Sequence, residues 1–354
     1  MRRIEQYQCR YILKSFFIGI CLCFFMSACA SEDENILEGI DEETVSGDID
    51  EDTISDEEAL ERTLAGMSSD VSNAYFRNTP LPKGRSSLRV LAIGNSYTED
   101  ALYYVPNLLS EAGYDKNSFS VYYAAMSAAS LQQWYEKAQS ELPIEIQYKA
   151  GMRMPKENAP LTELIAQDWD VITFQQYSEL SINYDSFNPW LDKLIDLVRT
   201  YCPNSNVTLG WQMAWSYSDV SQPSMSNYRR WLLIAIATKT MMVNDGIDLI
   251  LPIGTAIQNA RNTALNSESQ LTRDGWHLDD AGRYVAACTW LQTLFGPVYG
   301  WSTLNIPDVR ETGENVSEPT LPDWQKEEYW AISHRCAVGA VEKPFVVVKS
   351  DKSK

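Results

Sequence analysis

Two stretches of this chain hold residue types that can act together on an acyl group. RVLAIGNSYTED, residues 89–100, runs as an apolar strand into Gly94-Asn95-Ser96. DGWHLDDAGRYVAA, residues 274–287, holds His277, one of only two histidines in the chain, three residues after Asp274. A serine hydroxyl is a poor nucleophile until a neighbouring base takes its proton. An imidazole acting as that base needs an acceptor on its far nitrogen to hold the correct tautomer. Ser96, His277 and Asp274 match those three roles. Gly275 lets the loop turn, so an offset of three residues can set Asp274 on Nδ1 while Nε2 points at the serine. Each stretch also has a plain structural reading. Gly-Asn-Ser is good turn composition, Ser96 or Thr98 can cap a helix, and Asp274 can close a turn. The second histidine, His334, falls in a predicted C-terminal helix with no Asp or Glu within three residues, and reads as a surface or packing residue.

The surrounding pattern must bring the two stretches together. Buried-strand patterns recur at 88–95, 118–126, 169–176, 206–215 and 247–254, with an added hairpin at 144–154. Helical patterns separate them at 100–113, 130–139, 160–168, 187–201, 225–246, 255–263 and 279–296, and a C-terminal helix follows at 322–336. Apolar strands alternating with helices predict an α/β fold of three layers, α/β/α, around a five-stranded parallel sheet. Ligands of such sheets bind beyond the carboxyl ends of the strands, which is where Gly94-Asn95-Ser96 falls. Tyr97, Trp134, Tyr177, Trp211 and Trp215 lie near strand ends. Aromatic faces there suit sugars, although most of them are expected to pack the core.

Taken together, the two stretches resemble the first and last blocks of the SGNH/GDSL hydrolases, in the family's order, over roughly residues 87–297. The resemblance implies a flavodoxin-like fold and a serine esterase with Ser96 as nucleophile, His277 as base and Asp274 as the acid that orients it. It requires no metal or cofactor. The middle blocks depart from the family pattern. AMSAASLQQW has no Gly where the second block supplies a backbone donor, so Ala128 becomes the expected donor, provided its φ is negative. ITFQQYSELS replaces the usual Gly-x-Asn-Asp and is similar to the branch related to sialate O-acetylesterases. There the resemblance implies a Gln amide as the third oxyanion donor beside the Ser96 and Ala128 N–H groups, Gln175 in preference to Gln176. The expected reaction is removal of O-acetyl groups from a glycan. The alternatives are a lipase or lysophospholipase, and a non-catalytic glycan-binding lipoprotein whose hydrolase site has decayed.

The charge is unevenly spread. The chain of 354 residues has a net charge of −19, but residues 31–62 hold fifteen acidic side chains and a single arginine. What remains is mildly acidic, with no basic stripe for nucleic acid. At the N-terminus, Arg2, Arg3, Arg10 and Lys14 precede FFIGICLCFF and then MSACAS. This pattern resembles a bacterial lipoprotein leader, implying cleavage before Cys29 and acylation there. The acidic run after Cys29 is similar to the surface-export signal of Bacteroidetes lipoproteins. The chain therefore reads as a leader over 1–28, an acidic disordered tether over 29–80, in which DEEALERTLAGM has the pattern of a short amphipathic helix, and a hydrolase domain with a C-terminal helical extension over 81–354. A lipid anchor at Cys29 would hold it to the outer membrane, facing outward, with an acylated small molecule or glycan as substrate. Once the leader cysteines and Cys29 are set aside, Cys202, Cys288 and Cys336 remain. They are too few and too far apart for a disulfide framework, though one bridge among them is compatible with the sequence.

Overall fold

The apolar run Leu88–Gly94 forms the strand at the centre of the sheet, and its side chains alternate between two cores. Val90 and Ala92 pack into one core, and Leu91 and Ile93 pack into the other. A strand buried on both faces must be covered on both, and helices supply the cover. The computed structural model describes residues 55–68, 73–75, 81, 84–114, 118–151, 158–300, 302 and 326–348. The strands are β1 (Leu88–Gly94), β2 (Phe119–Ala125), β3 (Ile144–Gly151), β4 (Asn158–Ala159), β5 (Val171–Phe174), β6 (Thr208–Gln212) and β7 (Leu249–Leu251). Their spatial order is β4-β3-β2-β1-β5-β6-β7. The run β2-β1-β5-β6-β7 is parallel throughout. Its order, 2-1-3-4-5 among the parallel strands, is the flavodoxin-like one. β3 adds antiparallel to β2, and the short β4 pairs antiparallel with β3, which is the hairpin expected near 144–154. The protein is thus a three-layer α/β/α structure around five parallel strands.

Helices Ser96–Leu102, Val105–Glu111, Ile253–Arg261, Asp280–Trp290 and Glu327–Glu342 cover one face; helices Leu131–Gln139, Leu161–Ile165, Trp190–Tyr201 and Asn227–Asn244 cover the other. The single helix predicted over 100–113 is two. Pro106 lacks the N–H that a continuous helix would use, so the chain breaks at Tyr103-Tyr104 and restarts. The first of the two begins at Ser96, where Asn95 caps it.

The expected domain boundary at residue 81 needs correction. Asp56–Gly66 is a helix capped by Ser55, and it lies against helix Asn227–Asn244. Arg229 pairs with Asp56 at 3.0 Å, and the Tyr228 hydroxyl donates to Glu61 at 2.7 Å. Lys239 Nζ donates to the carbonyls of Leu64 and Met67, placing a cation at the C-terminal end of that helix. Residues 73–75 cover the outer edge of β7, where the Ile250 N–H donates to the Ala74 carbonyl at 2.9 Å. Covering this edge satisfies backbone groups that would otherwise invite another strand. The compact unit accordingly begins at Thr53. High acidity misled the composition argument, because this helix shows its acids to solvent and its neighbours while burying only Leu64. The leader, Cys29 and the rest of the acidic segment up to residue 54 lie outside the described residues. No helix among the described residues is long and apolar enough to cross a membrane. Cys202, Cys288 and Cys336 are free thiols, the last two buried.

Candidate active site

Ser96 is placed by its neighbours in sequence. Asn95 is the N-cap of helix Ser96–Leu102, and its Oδ1 accepts the Tyr97 N–H at 3.0 Å. Ser96 is therefore the first residue of the helix, and its own N–H has no intrahelical acceptor. Gly94 is required just before it. A Cβ there would lie 2.1 Å from Thr98 Oγ1 and 2.9 Å from Gln175 Oε1. The Asn95 amide also donates to the Ala129 carbonyl at 3.1 Å, tying the end of β1 to the loop after β2. An aspartate in its place would lack that donor.

The loop holding the other two residues is closed at its base. Thr272 and Leu278 form an antiparallel bridge, and the Arg273 N–H donates to the His277 carbonyl at 2.9 Å. Gly275 has φ +90°, and a Cβ there would meet Ser221 at 2.4 Å, so the turn admits only glycine. Asp274 Oδ1 accepts the N–H groups of Trp276 (3.0 Å) and His277 (2.7 Å). His277 Nδ1–H donates to Asp274 Oδ2 at 2.6 Å, and Ser96 Oγ–H donates to His277 Nε2 at 2.9 Å. The three residues singled out in the sequence therefore form one continuous hydrogen-bonded chain. Partial burial would by itself raise the Asp274 carboxyl. The His277 and Trp276 N–H donors and the imidazole outweigh it, and the carboxyl lies below its usual range.

Two features hold this loop against helix Ser96–Leu102, and neither was anticipated. Asp100, one turn after Ser96, is buried. Its carboxylate accepts from Arg273 (2.9 and 3.0 Å), from Arg283 (2.8 and 2.9 Å) and from the Leu278 N–H (2.9 Å). It thus grips the loop on both sides of Asp274 and His277. Its signal in the sequence was its spacing, four residues from Ser96, which places both on one helix face. Trp215, fully buried, stacks on Tyr97 with ring centroids 3.9 Å apart, and its Nε1–H donates to the Trp276 carbonyl at 2.8 Å. One indole touches the residue after the nucleophile and the residue before the base.

The remaining expectations fare differently. Gln175 is fully buried and faces away from the cleft. Its Oε1 accepts from the Asn95 N–H (3.3 Å) and the Thr98 hydroxyl (2.8 Å), and its Nε2 donates to the Gln176 carbonyl (3.0 Å). Gln176 accepts the Leu131 and Tyr177 N–H groups and donates to the Ser186 carbonyl and hydroxyl. Both amides clamp strand ends, so neither is the side-chain oxyanion donor expected of it. Ala128 does line the cleft beside Ser96, but its φ is +52°, not negative. It stands at the third position of a turn closed by the Ala129 N–H on the Met126 carbonyl. This is left-handed backbone, which favours the glycine the family pattern has there. Ala128→Gly is therefore expected to leave the melting temperature unchanged or raised, whereas an ordinary Ala→Gly change costs about 1 kcal/mol. A fall of several degrees in thermal melts would refute this. Trp134, Trp211 and Trp215 pack the core; Tyr97, although buried, and Tyr177 line the cleft. His334 is buried against Tyr284, whose hydroxyl lies 3.0 Å from Nε2, and burial lowers the imidazole to about 4.

The cleft has a volume of about 250 Å³. Besides the residues at its floor, Ser127, Tyr177, Ser178, Glu179, Tyr217 and Trp276 form its walls. Trp276 is 45% exposed, leaving most of a ring face open to a ligand.

No curated protein matches this sequence. In structure, the chain is similar to a DUF4886 family protein from Bacteroides uniformis, at 26% identity and a TM-score of 0.58, over 76% of this chain and all of the other. More distant are a Slackia heliotrinireducens protein described as a candidate SGNH hydrolase (17% identity, TM-score 0.40, 57% and 95% covered) and an acetyl xylan esterase (13%, 0.40, 57% and 98%). A family model described as a domain of unknown function, DUF4886, matches residues 89–305, the stretch from β1 through the loop of Asp274 and His277, and this chain belongs to that family.

Proposed function

We propose that the protein is a serine esterase that removes short acyl groups, acetyl foremost, from a carbohydrate. The observation that carries this is the unbroken chain from Asp274 through His277 to Ser96, with bonds of 2.6 and 2.9 Å. In the reaction, Ser96 Oγ attacks the ester carbonyl while Nε2 takes its proton. Asp274 holds Nδ1–H and stabilises the imidazolium. The Ser96 N–H, at the start of its helix, is the donor assigned to the oxyanion; Ala128 lines the cleft beside it, but its positive φ fails the condition set for its N–H to serve. Nε2–H then passes its proton to the leaving alcohol, and a water molecule repeats the sequence to free the acid.

The acyl length follows from the walls. A lipase needs a groove of long aliphatic side chains beside the serine. Here Ala128 is the only aliphatic side chain among the lining residues, and the cleft is small. Open aromatic surface at Trp276 and Tyr177 suits the face of a sugar. The intact triad weighs against a decayed, purely binding site. Attachment to the outer membrane through Cys29, facing outward, completes the proposal and rests on the leader sequence alone.

Hydrolysis of p-nitrophenyl acetate, butyrate and octanoate tests the reading. kcat/KM is expected to fall by about tenfold or more from acetate to octanoate, since a short pocket rejects added methylenes at about 1–3 kcal/mol each at most. A preference for octanoate would replace the carbohydrate reading with the lipid one. Soluble protein for this assay should keep residues from Thr53 onward, because helix Asp56–Gly66 is part of the compact unit.

A further inference from the structure

Glu179 is the only Asp, Glu, Lys or Arg among the described residues lining the cleft. It precedes the short 3-10 turn Leu180–Ile182 after β5, and it is exposed. No hydrogen bond or ion pair from another described residue engages its carboxylate. Behind this wall lies one cation, Arg230, packed on the lining residue Tyr217, and it is committed elsewhere. Arg230 is 2% exposed and lies over the Tyr217 ring, with its guanidinium carbon 3.7 Å from the centroid. Its Nη2 donates to the Ser178 carbonyl and its Nη1 to Gln222 Oε1, both at 2.9 Å. The Tyr217 ring thus separates its charge from the cleft. Asp274, ionised behind the lining residue His277, adds a second negative charge. Among the described lining residues, a bound alcohol therefore meets a free carboxylate and no Lys or Arg.

We propose that Glu179 determines the charge of the substrate. The alcohol released is neutral or cationic, as in a neutral or amino sugar, and anionic alcohols such as uronic and sialic acids are disfavoured. The proposal deepens the esterase reading of this same cleft and rests on it. The physical basis is charge interaction across a half-wet gap. A single charge there changes affinity several-fold at low salt, and the effect fades when the Debye length drops below the separation. The Arg230 charge behind the wall reduces the effect without reversing its sign, because Asp274 opposes it.

The test uses three acetate esters of similar size: acetylcholine (cationic), 3,3-dimethylbutyl acetate (neutral) and 3-acetoxypropane-1-sulfonate (anionic). Binding is measured by saturation-transfer NMR on Ser96→Ala protein, with and without Glu179→Gln or Glu179→Lys, in 20 mM and 500 mM salt. Turnover is measured in parallel with Ser96 intact. In the Glu179 protein, the cationic ester is expected to bind about fivefold to tenfold better than the anionic one at low salt, with little preference at high salt. Glu179→Gln should remove most of that ratio, and Glu179→Lys should invert it. Turnover should show the change in KM and not in kcat. Ratios equal within twofold across the three proteins would overturn the proposal, whatever the turnover. Absence of acetyl release from all three esters, with the binding order intact, would instead count against the esterase reading alone. Glu179 is exposed and unpaired, so neither substitution threatens the fold.

Discussion

Ser96→Ala is expected to reduce kcat for acetate esters by about 10⁴-fold or more, with KM within a few-fold of its starting value. In the proposed reaction the serine oxygen bonds to the acyl carbon, and no other described hydroxyl lies within hydrogen-bond reach of His277 Nε2. Alanine removes a single oxygen at a half-buried position, so the fold should be unaffected. His277→Ala should fall to a similar floor, because the two residues act as one unit. The double variant should be no slower than either single one. Asp274→Asn is expected to lose somewhat less than that floor, about 10³- to 10⁴-fold, by presenting the wrong partner to Nδ1. Asp274 is held below the usual carboxylate range, so its own protonation should not set the acid limb of the pH profile. Steady-state kinetics on all four proteins, with circular dichroism to show that they are folded, decides the matter. An additive double variant would mean that Ser96 and His277 do not act together.

The largest effect on stability is expected at Asp100. Its side chain is 2% exposed, and it neutralises two guanidinium groups that are 24% and 11% exposed. Removing one member of a buried ion cluster leaves the others desolvated without a counter-charge, at a cost of about 3–5 kcal/mol. Asp100→Ala should lose roughly that much in chemical denaturation, and Asp100→Asn, which keeps the shape and accepts one N–H, should lose less. Both should also lower kcat at temperatures where they remain folded. The carboxylate accepts from Arg273 and the Leu278 N–H, which flank Asp274 and His277, so its loss loosens the imidazole relative to Ser96. Normal kcat in a destabilised Asp100→Asn protein would confine this residue to a purely structural role.

Much of this architecture was legible because it depends on local periodicity. The five parallel strands announce themselves as short, uniformly apolar runs, since a strand covered on both faces has no polar side to show. The triad was legible for a related reason. Gly94, Asn95 and Ser96 are neighbours in the chain, as are Asp274, Gly275 and His277, and each short segment already specifies its own turn and cap. The break at Pro106 was also within reach, although the apolar pattern runs across it and hides the restart. The helix Asp56–Gly66 was legible in DEEALERTLAGM, but its docking on the domain was obscured because its partners, Tyr228, Arg229 and Lys239, lie far along the chain.

What spacing cannot report is where a side chain turns once strands lie side by side. Gln175 and Gln176 follow β5 in sequence, which suits donors at a strand end. In the sheet they become clamps, because β1 and the start of helix Leu131–Gln139 present backbone N–H groups to them. Ala128 was expected at negative φ, but a turn whose direction is set by the packing of β2 against β1 holds it at +52°. Asp100 and Trp215 acquired their roles only through contacts across 173 to 183 residues and 61 residues of chain, respectively. The sequence by itself determined the layers, the trio Ser96, His277 and Asp274 and the order in which they meet. The tertiary structure alone decided what grips that trio, which polar residues turn away from it and which charged side chain lines the cleft. Those properties depend on long-range packing, whereas strands, caps and turns are written in neighbouring residues.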